Sequence, residues 1–106
     1  MYSIGQVSEK FNLPVSTLRY YDKEGLLPNI ERTSGIRKFS DRDLETLHVI
    51  ECLKKSGLEI KDIRQFIQWC AEGSSTYSKR RELFIKQKEN VEREMERLEK
   101  TRAMLQ

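Results

Sequence analysis

The chain has 106 residues, with 20 Lys and Arg against 17 Asp and Glu and a net charge of +3. Charged residues make up 35% and hydrophobic residues 37%, which is charge-rich beside the roughly 25% of an average globular domain. This balance fits one small domain plus an appended element and argues against a large enclosed active-site pocket. No stretch approaches the roughly 18 apolar residues of a membrane span, and Met1-Tyr-Ser-Ile-Gly-Gln6 lacks the basic-then-apolar pattern of a secretory signal. Cys52 and Cys70 are the two cysteines, too few for a disulfide scaffold, so the expected compartment is the reducing cytoplasm.

Ser3-Ile-Gly-Gln6 reads as a capping box that opens a short helix, with Ile4, Val7 and Phe11 on one face. Asn12-Leu-Pro14 interrupts it, because proline fits only at the start of a following helix. That helix, Val15 to Glu24, turns Val15, Leu18 and Tyr21 inward and closes at a left-handed Gly25. Its remaining faces carry Ser16, Thr17, Arg19, Tyr20 and Lys23, with no acidic side chain before Asp22. Such donors suit phosphates and base edges, although an ordinary solvated helix face has a similar composition. Pro28 to Phe39 is polar and turn-rich around Thr33-Ser-Gly35, which predicts a hairpin. Arg37 and Lys38 beside that turn are either phosphate contacts or plain solvated residues.

Ser40-Asp-Arg-Asp43 caps a third helix carrying Leu44, Leu47, Ile50 and Leu53, ended by Ser56-Gly57. A fourth, from Glu59 to Cys70, lines up Ile60, Ile63, Phe66, Ile67 and Cys70 on one side. Trp69 and Cys70 are accordingly expected in packing. Residues 76–106 contain neither Gly nor Pro and are rich in helix formers, so one helix of about 45 Å is expected. Tyr77, Phe84, Val91, Leu98 and Leu105 recur every seven residues, with Met95 four after Val91, while Arg81, Lys88 and Arg102 occupy the other seam positions. This is a half-strength coiled-coil seam that calls for a second copy of the chain.

Helix, turn, helix, hairpin, two helices and a long arm make an all-α fold with a small β wing. Residues 1–73 are expected to form a winged helix-turn-helix unit: helix-turn-helix 3–25, wing 28–39, helices 40–56 and 59–71. Residues 74–106 are expected to form the dimerisation helix. A DNA-reading role rests on placement rather than total charge, because residues 1–48 carry 7 basic and 7 acidic side chains and net to zero.

Ser3-Ile-Gly-Gln-Val7, Leu18-Arg-Tyr-Tyr-Asp22, Gly25-Leu-Leu-Pro28, Gly35-Ile-Arg-Lys-Phe39 and Asp43-Leu44 closely resemble the MerR family of bacterial transcription regulators. The resemblance implies a homodimer joined by an antiparallel coiled coil and a bacterial, nucleoid-associated location. It also implies double-stranded promoter DNA as partner, with RNA polymerase engaged through the shared promoter after the duplex is bent and untwisted. It makes Thr17 and Arg19 recognition-helix contacts, Tyr20 a phosphate contact and Arg37 the wing arginine, in a regulator rather than an enzyme. The sequence departs from the family at Pro14 and Glu59, where Ser caps are usual, at Ser16, where a longer basic residue is common, and at Ile36 and Phe39, where wing tyrosines are common.

Drug-sensing members carry a large C-terminal ligand domain, which is not expected here. Metal sensors resembling the family type place cysteines at the start of the dimer helix and in a loop beyond it, whereas this helix starts Ser74-Ser-Thr-Tyr-Ser78. His48 and Cys52 alone do not complete a tetrahedral site, so neither metal nor cofactor is expected. A thiol switch is better motivated: His48 four residues before Cys52 and Lys55 three after it lie on its helix face, where positive charge favours thiolate. The run Ile50-Glu-Cys-Leu-Lys-Lys-Ser-Gly57 and the helix after it resemble the NmlR/AdhR branch, which implies a response of Cys52 to aldehydes and other thiol-reactive stress. A DNA-binding architectural factor without a sensor, a buried structural Cys52, and a thiol enzyme built on Cys52 and His48 are the competing readings. The last is disfavoured by the lack of a third orienting group.

Overall fold

The computed structural model of the chain describes residues 1–106. The elements in chain order are β1 (Tyr2–Ser3), α1 (Ile4–Phe11), α2 (Val15–Lys23), β2 (Glu31–Thr33), β3 (Ile36–Phe39), α3 (Asp41–Lys55) and α4 (Ile60–Glu72). A 3-10 turn (Gly73–Thr76) then leads into α5 (Tyr77–Met104). Backbone contacts divide the chain into two compact units, Met1–Cys52 and Leu53–Gln106, with α3 continuing through the division.

In the first unit, local chemistry sets the element ends. The Gln6 N–H donates to Ser3 Oγ at 3.1 Å and the Ser3 N–H to Gln6 Oε1 at 2.9 Å, closing the capping box that starts α1. Asn12, left-handed at φ 53°, ends that helix. At the end of α2, Gly25 takes φ 79°, its N–H donates to the Asp22 carbonyl at 3.1 Å, and Leu26 N–H donates to the Tyr21 carbonyl at 2.9 Å. This is the Schellman arrangement, which needs a left-handed residue after the cap. Ser34 and Gly35 both have positive φ, giving the two-residue turn whose twist matches a β-hairpin. Ser40 and Asp43 form a second reciprocal cap, with N–H donors at 2.8 and 3.1 Å, and open α3.

The hairpin is joined by a strand that the sequence patterning does not reveal. Tyr2 and Ser3 pair antiparallel with Phe39 and Lys38, giving a three-stranded sheet in the order β1-β3-β2. Val7, Leu18, Tyr21, Leu26, Leu27, Phe39, Leu44, Leu47 and Ile50 are the buried apolar side chains of this unit, each large one contributing about 1.5–3 kcal/mol by leaving water.

In the second unit α3 ends in another Schellman turn, the N–H groups of Gly57 and Leu58 donating to the carbonyls of Lys54 and Leu53 at 2.9 and 3.1 Å. Glu59 makes no side-chain cap on α4, and Asp62 supplies the acidic group of its first turn. Leu53, Ile63, Phe66 and Ile67 are buried, and the Phe66 ring meets Phe84 of α5 at 5.0 Å between centroids. The turn between α4 and α5 is fastened by buried Thr76. Its hydroxyl donates to the Trp69 carbonyl at 2.6 Å and accepts from Arg80 Nε at 3.2 Å.

One detail of this unit differs from the sequence reading. Cys70, expected in packing as the end of the α4 apolar face, is exposed, while Trp69 is half-buried with the Lys79 ammonium 6.0 Å from its ring centre. Cys70 lies in the last turn of α4, and burial on that face stops at Ile67. The only buried residue of the 28-residue α5 is polar Gln87, whose Nε2 donates to Ser56 Oγ at 3.0 Å and to the Ser56 carbonyl at 3.2 Å. No helix is long and apolar enough to cross a membrane.

Candidate nucleic-acid interface

The face of interest is built by α2 and the hairpin. Leu18 and Tyr21 face the core and hold α2 by one side. The 3.6-residue period then turns Ser16, Arg19, Tyr20 and Lys23 to solvent, with Thr17 half-buried between them. Tyr20 is 46% exposed, and its ring lies 6.3 Å from that of Tyr21. Neighbouring tyrosines of one helix thus play opposite parts. Tyr21 is buried and donates its hydroxyl to Glu51 Oε2 of α3 at 2.7 Å. Burial first, then that hydrogen bond to a carboxylate, push the Tyr21 phenol well above the usual tyrosine range.

The structure separates Arg37 from Lys38. Successive strand residues point to opposite faces, so Arg37 lies on the same face of β3 as buried Phe39, and Lys38 lies on the other. Arg37 Nε donates to Asp22 Oδ2 of α2 at 2.7 Å. Arg32, which sequence reasoning passed over, is the cross-strand partner of Arg37 and reaches the same Asp22 oxygen through Nη2. Like charges directly opposite on a hairpin are unfavourable on their own. Here one carboxylate, with only 9% of its side chain exposed, lies against both guanidiniums. No sequence pattern marks this group, because Asp22 and its partners lie ten and fifteen positions apart. Arg37 keeps 22% of its side chain exposed and has terminal N–H groups beyond the Nε bound to Asp22.

Two other features bear on the sequence expectations. His48, Cys52 and Lys55 are all exposed, at helical spacing along α3, and Cys52 is a free thiol. Tyr77, Phe84, Val91, Met95, Leu98 and Leu105 are all exposed on α5, together with Ile85 and Met104. No group of three or more potential metal ligands is assembled anywhere in the chain.

The profile described as "MerR HTH family regulatory protein" matches residues 2–69, and that described as "MerR, DNA binding" matches residues 44–106. The chain belongs to the MerR family. Members of this family are DNA-binding transcription regulators, not enzymes. Within the MerR family the chain is 43% identical, over 85% of its length, to an uncharacterized HTH-type transcriptional regulator of Haemophilus influenzae, covering 67% of that protein. It is 31% identical over 84% of its length to the regulator AdhR of Bacillus subtilis, covering 64% of that chain. It thus spans about two thirds of the length of these relatives. Among solved MerR structures it is similar to HiNmlR, a regulator lacking the sensor domain, bound to promoter DNA. There the TM-score is 0.92, with 39% identity over 98% of this chain and 83% of the other.

Proposed function

We propose that the chain is a homodimeric transcription regulator that places α2 of each protomer in the major groove of a two-fold symmetric promoter site. The observation that carries this reading is the exposed row Ser16, Arg19, Tyr20 and Lys23 on a helix held from behind by Leu18 and Tyr21. In this reading Arg19, with Thr17 and Ser16, meets base edges, while Tyr20, Lys23, Arg37 and Lys38 contact phosphates. The likeness to the promoter-bound HiNmlR supports it. The exposed seam on α5, Tyr77 through Leu105, supplies the surface that a second copy covers, and pairing two heads fixes the spacing of the half-sites. Activation follows by deforming the duplex so that polymerase engages both promoter elements, with the cost of bending and untwisting as the controlled quantity.

Cys52 is the sensing residue in this proposal, responding to aldehydes or other electrophiles with His48 and Lys55 alongside it. Its exposure supports the role, since a thiol must be reached to be modified. The resemblance of the run Ile50-Glu-Cys-Leu-Lys-Lys-Ser-Gly57 to the NmlR/AdhR branch motivates it. The test has two arms. Fluorescence anisotropy with the promoter fragment next to the chain's own gene is expected to show specific affinity that falls steeply with salt. A promoter assay with formaldehyde or methylglyoxal is expected to respond in the wild type and not in Cys52→Ser. An unchanged response in Cys52→Ser would leave a MerR regulator without a cysteine sensor, while absent specific binding would overturn the DNA-reading proposal itself.

A further inference from the structure

Asp22 is an anomaly for a phosphate-facing surface, since it adds a negative charge beside the recognition helix. Its setting gives it a use. It lies on α2 between Tyr20 and Lys23 of the exposed row, with its own side chain only 9% exposed. Its carboxylate is nearly buried beneath Arg37 and Arg32, which come from the two facing strands of the hairpin at paired register positions. The backbone carbonyl of the same residue accepts the Gly25 N–H in the turn that ends α2. One residue therefore ties the end of the recognition helix to both strands of the wing. A free arginine samples many rotamers, and fixing one before binding removes part of the ordering cost of forming a contact. We propose that Asp22 is a positioning residue that holds Arg37 and Arg32 in one geometry, so that the wing fixes the register in which α2 meets base edges and thereby sets discrimination between sites, resting on the DNA-reading role proposed above.

Simple charge counting and positioning give opposite signs for Asp22→Asn. Removing a negative charge near DNA strengthens binding to every duplex by the phosphate term alone. Losing the lock weakens binding to the cognate site, because the two arginines must then be ordered on binding. The experiment uses a duplex of about 30 base pairs, long enough for two half-sites, selected from a random pool by the wild-type chain, and a scrambled duplex of the same composition. For Asp22→Asn we expect cognate affinity to fall about tenfold while scrambled affinity stays level or rises, so that the specificity ratio collapses. Arg37→Lys keeps the net charge and removes the planar fork, and it is expected to lose specificity in the same direction. Circular dichroism melts identify any variant that fails to fold. Should Asp22→Asn not fold, the ratio for Asp22→Glu, which keeps the charge and displaces the carboxylate, decides. Unchanged or improved cognate affinity in the folded variants overturns the positioning role. Failure of the wild-type chain to enrich any sequence overturns the DNA-reading proposal instead.

Discussion

At the scale of single residues, chemistry and burial divide neighbouring side chains into separate tasks. Arg19 is exposed and Leu18 is buried, so Arg19→Ala should leave the fold intact while costing about 1–3 kcal/mol of cognate binding, measurable by anisotropy beside an unchanged melting curve. Tyr21 is the reverse case. Tyr21→Phe removes the donor to Glu51 and should cost about 1 kcal/mol of stability, read as a lower melting temperature. Its phenol is raised in the folded state, so the stability it contributes is fully present below about pH 10, where an unfolded tyrosine begins to ionise, and is lost as pH rises further. Melting temperature should therefore fall above about pH 10 in the wild type, and that part of the fall should be missing in Tyr21→Phe. What the sequence showed at this scale was the short-range chemistry. The caps at Ser3 and Ser40 and the left-handed Gly25 are visible because their partners lie within five residues. Asp22, Arg32 and Arg37 form one group only after the chain has folded, and a residue ten positions away carries no local signal.

At the scale of elements, the same distinction separates what could be read from what could not. Helices α3, α4 and α5 announce themselves through apolar period and turn residues. The two-residue strand β1 has no period at all, since its pairing with Phe39 and Lys38 comes from chain geometry some thirty-five residues away. The hairpin turn is a local device, and Gly35→Ala tests it. Nothing lies within 4 Å of the position a Cβ would take, so the penalty arises only from φ +79°. It should be about 1 kcal/mol, seen as lower hydrogen-exchange protection in β2 and β3. Along α5, exposed pairs such as Glu94 with Arg97 and Glu99 with Arg102 support the helix locally, and Arg97 holds the Glu94 carboxyl below the usual range. They leave the apolar stripe uncovered, which is why α5 is assigned to pairing with a second copy. Leu98→Asp, placing a charge in that stripe, should halve the mass measured by light scattering at micromolar concentration while leaving the helical signal of the first unit unchanged.

For the whole molecule, the distribution of charge is more informative than its sum. The net +3 lies on residues 76–106, whereas residues 1–48 balance, so the proposed reading face depends on the arrangement of its charges and not on their sum. Asp22 shows how far that arrangement goes, with a carboxylate turned inward beneath two arginines. In the proposed reading dimerisation is integral to function, because one short helix and one wing would offer few phosphate contacts and two copies would double them. Hydroxyl-radical footprinting of the dimer on its promoter tests this most directly. Two equal protected patches related by a dyad about one helical turn apart, lost with Leu98→Asp and requiring about tenfold or more protein with Arg19→Ala, are the expected result. A single or asymmetric patch, or protection by Arg19→Ala at the same protein concentration as the wild type, would contradict it.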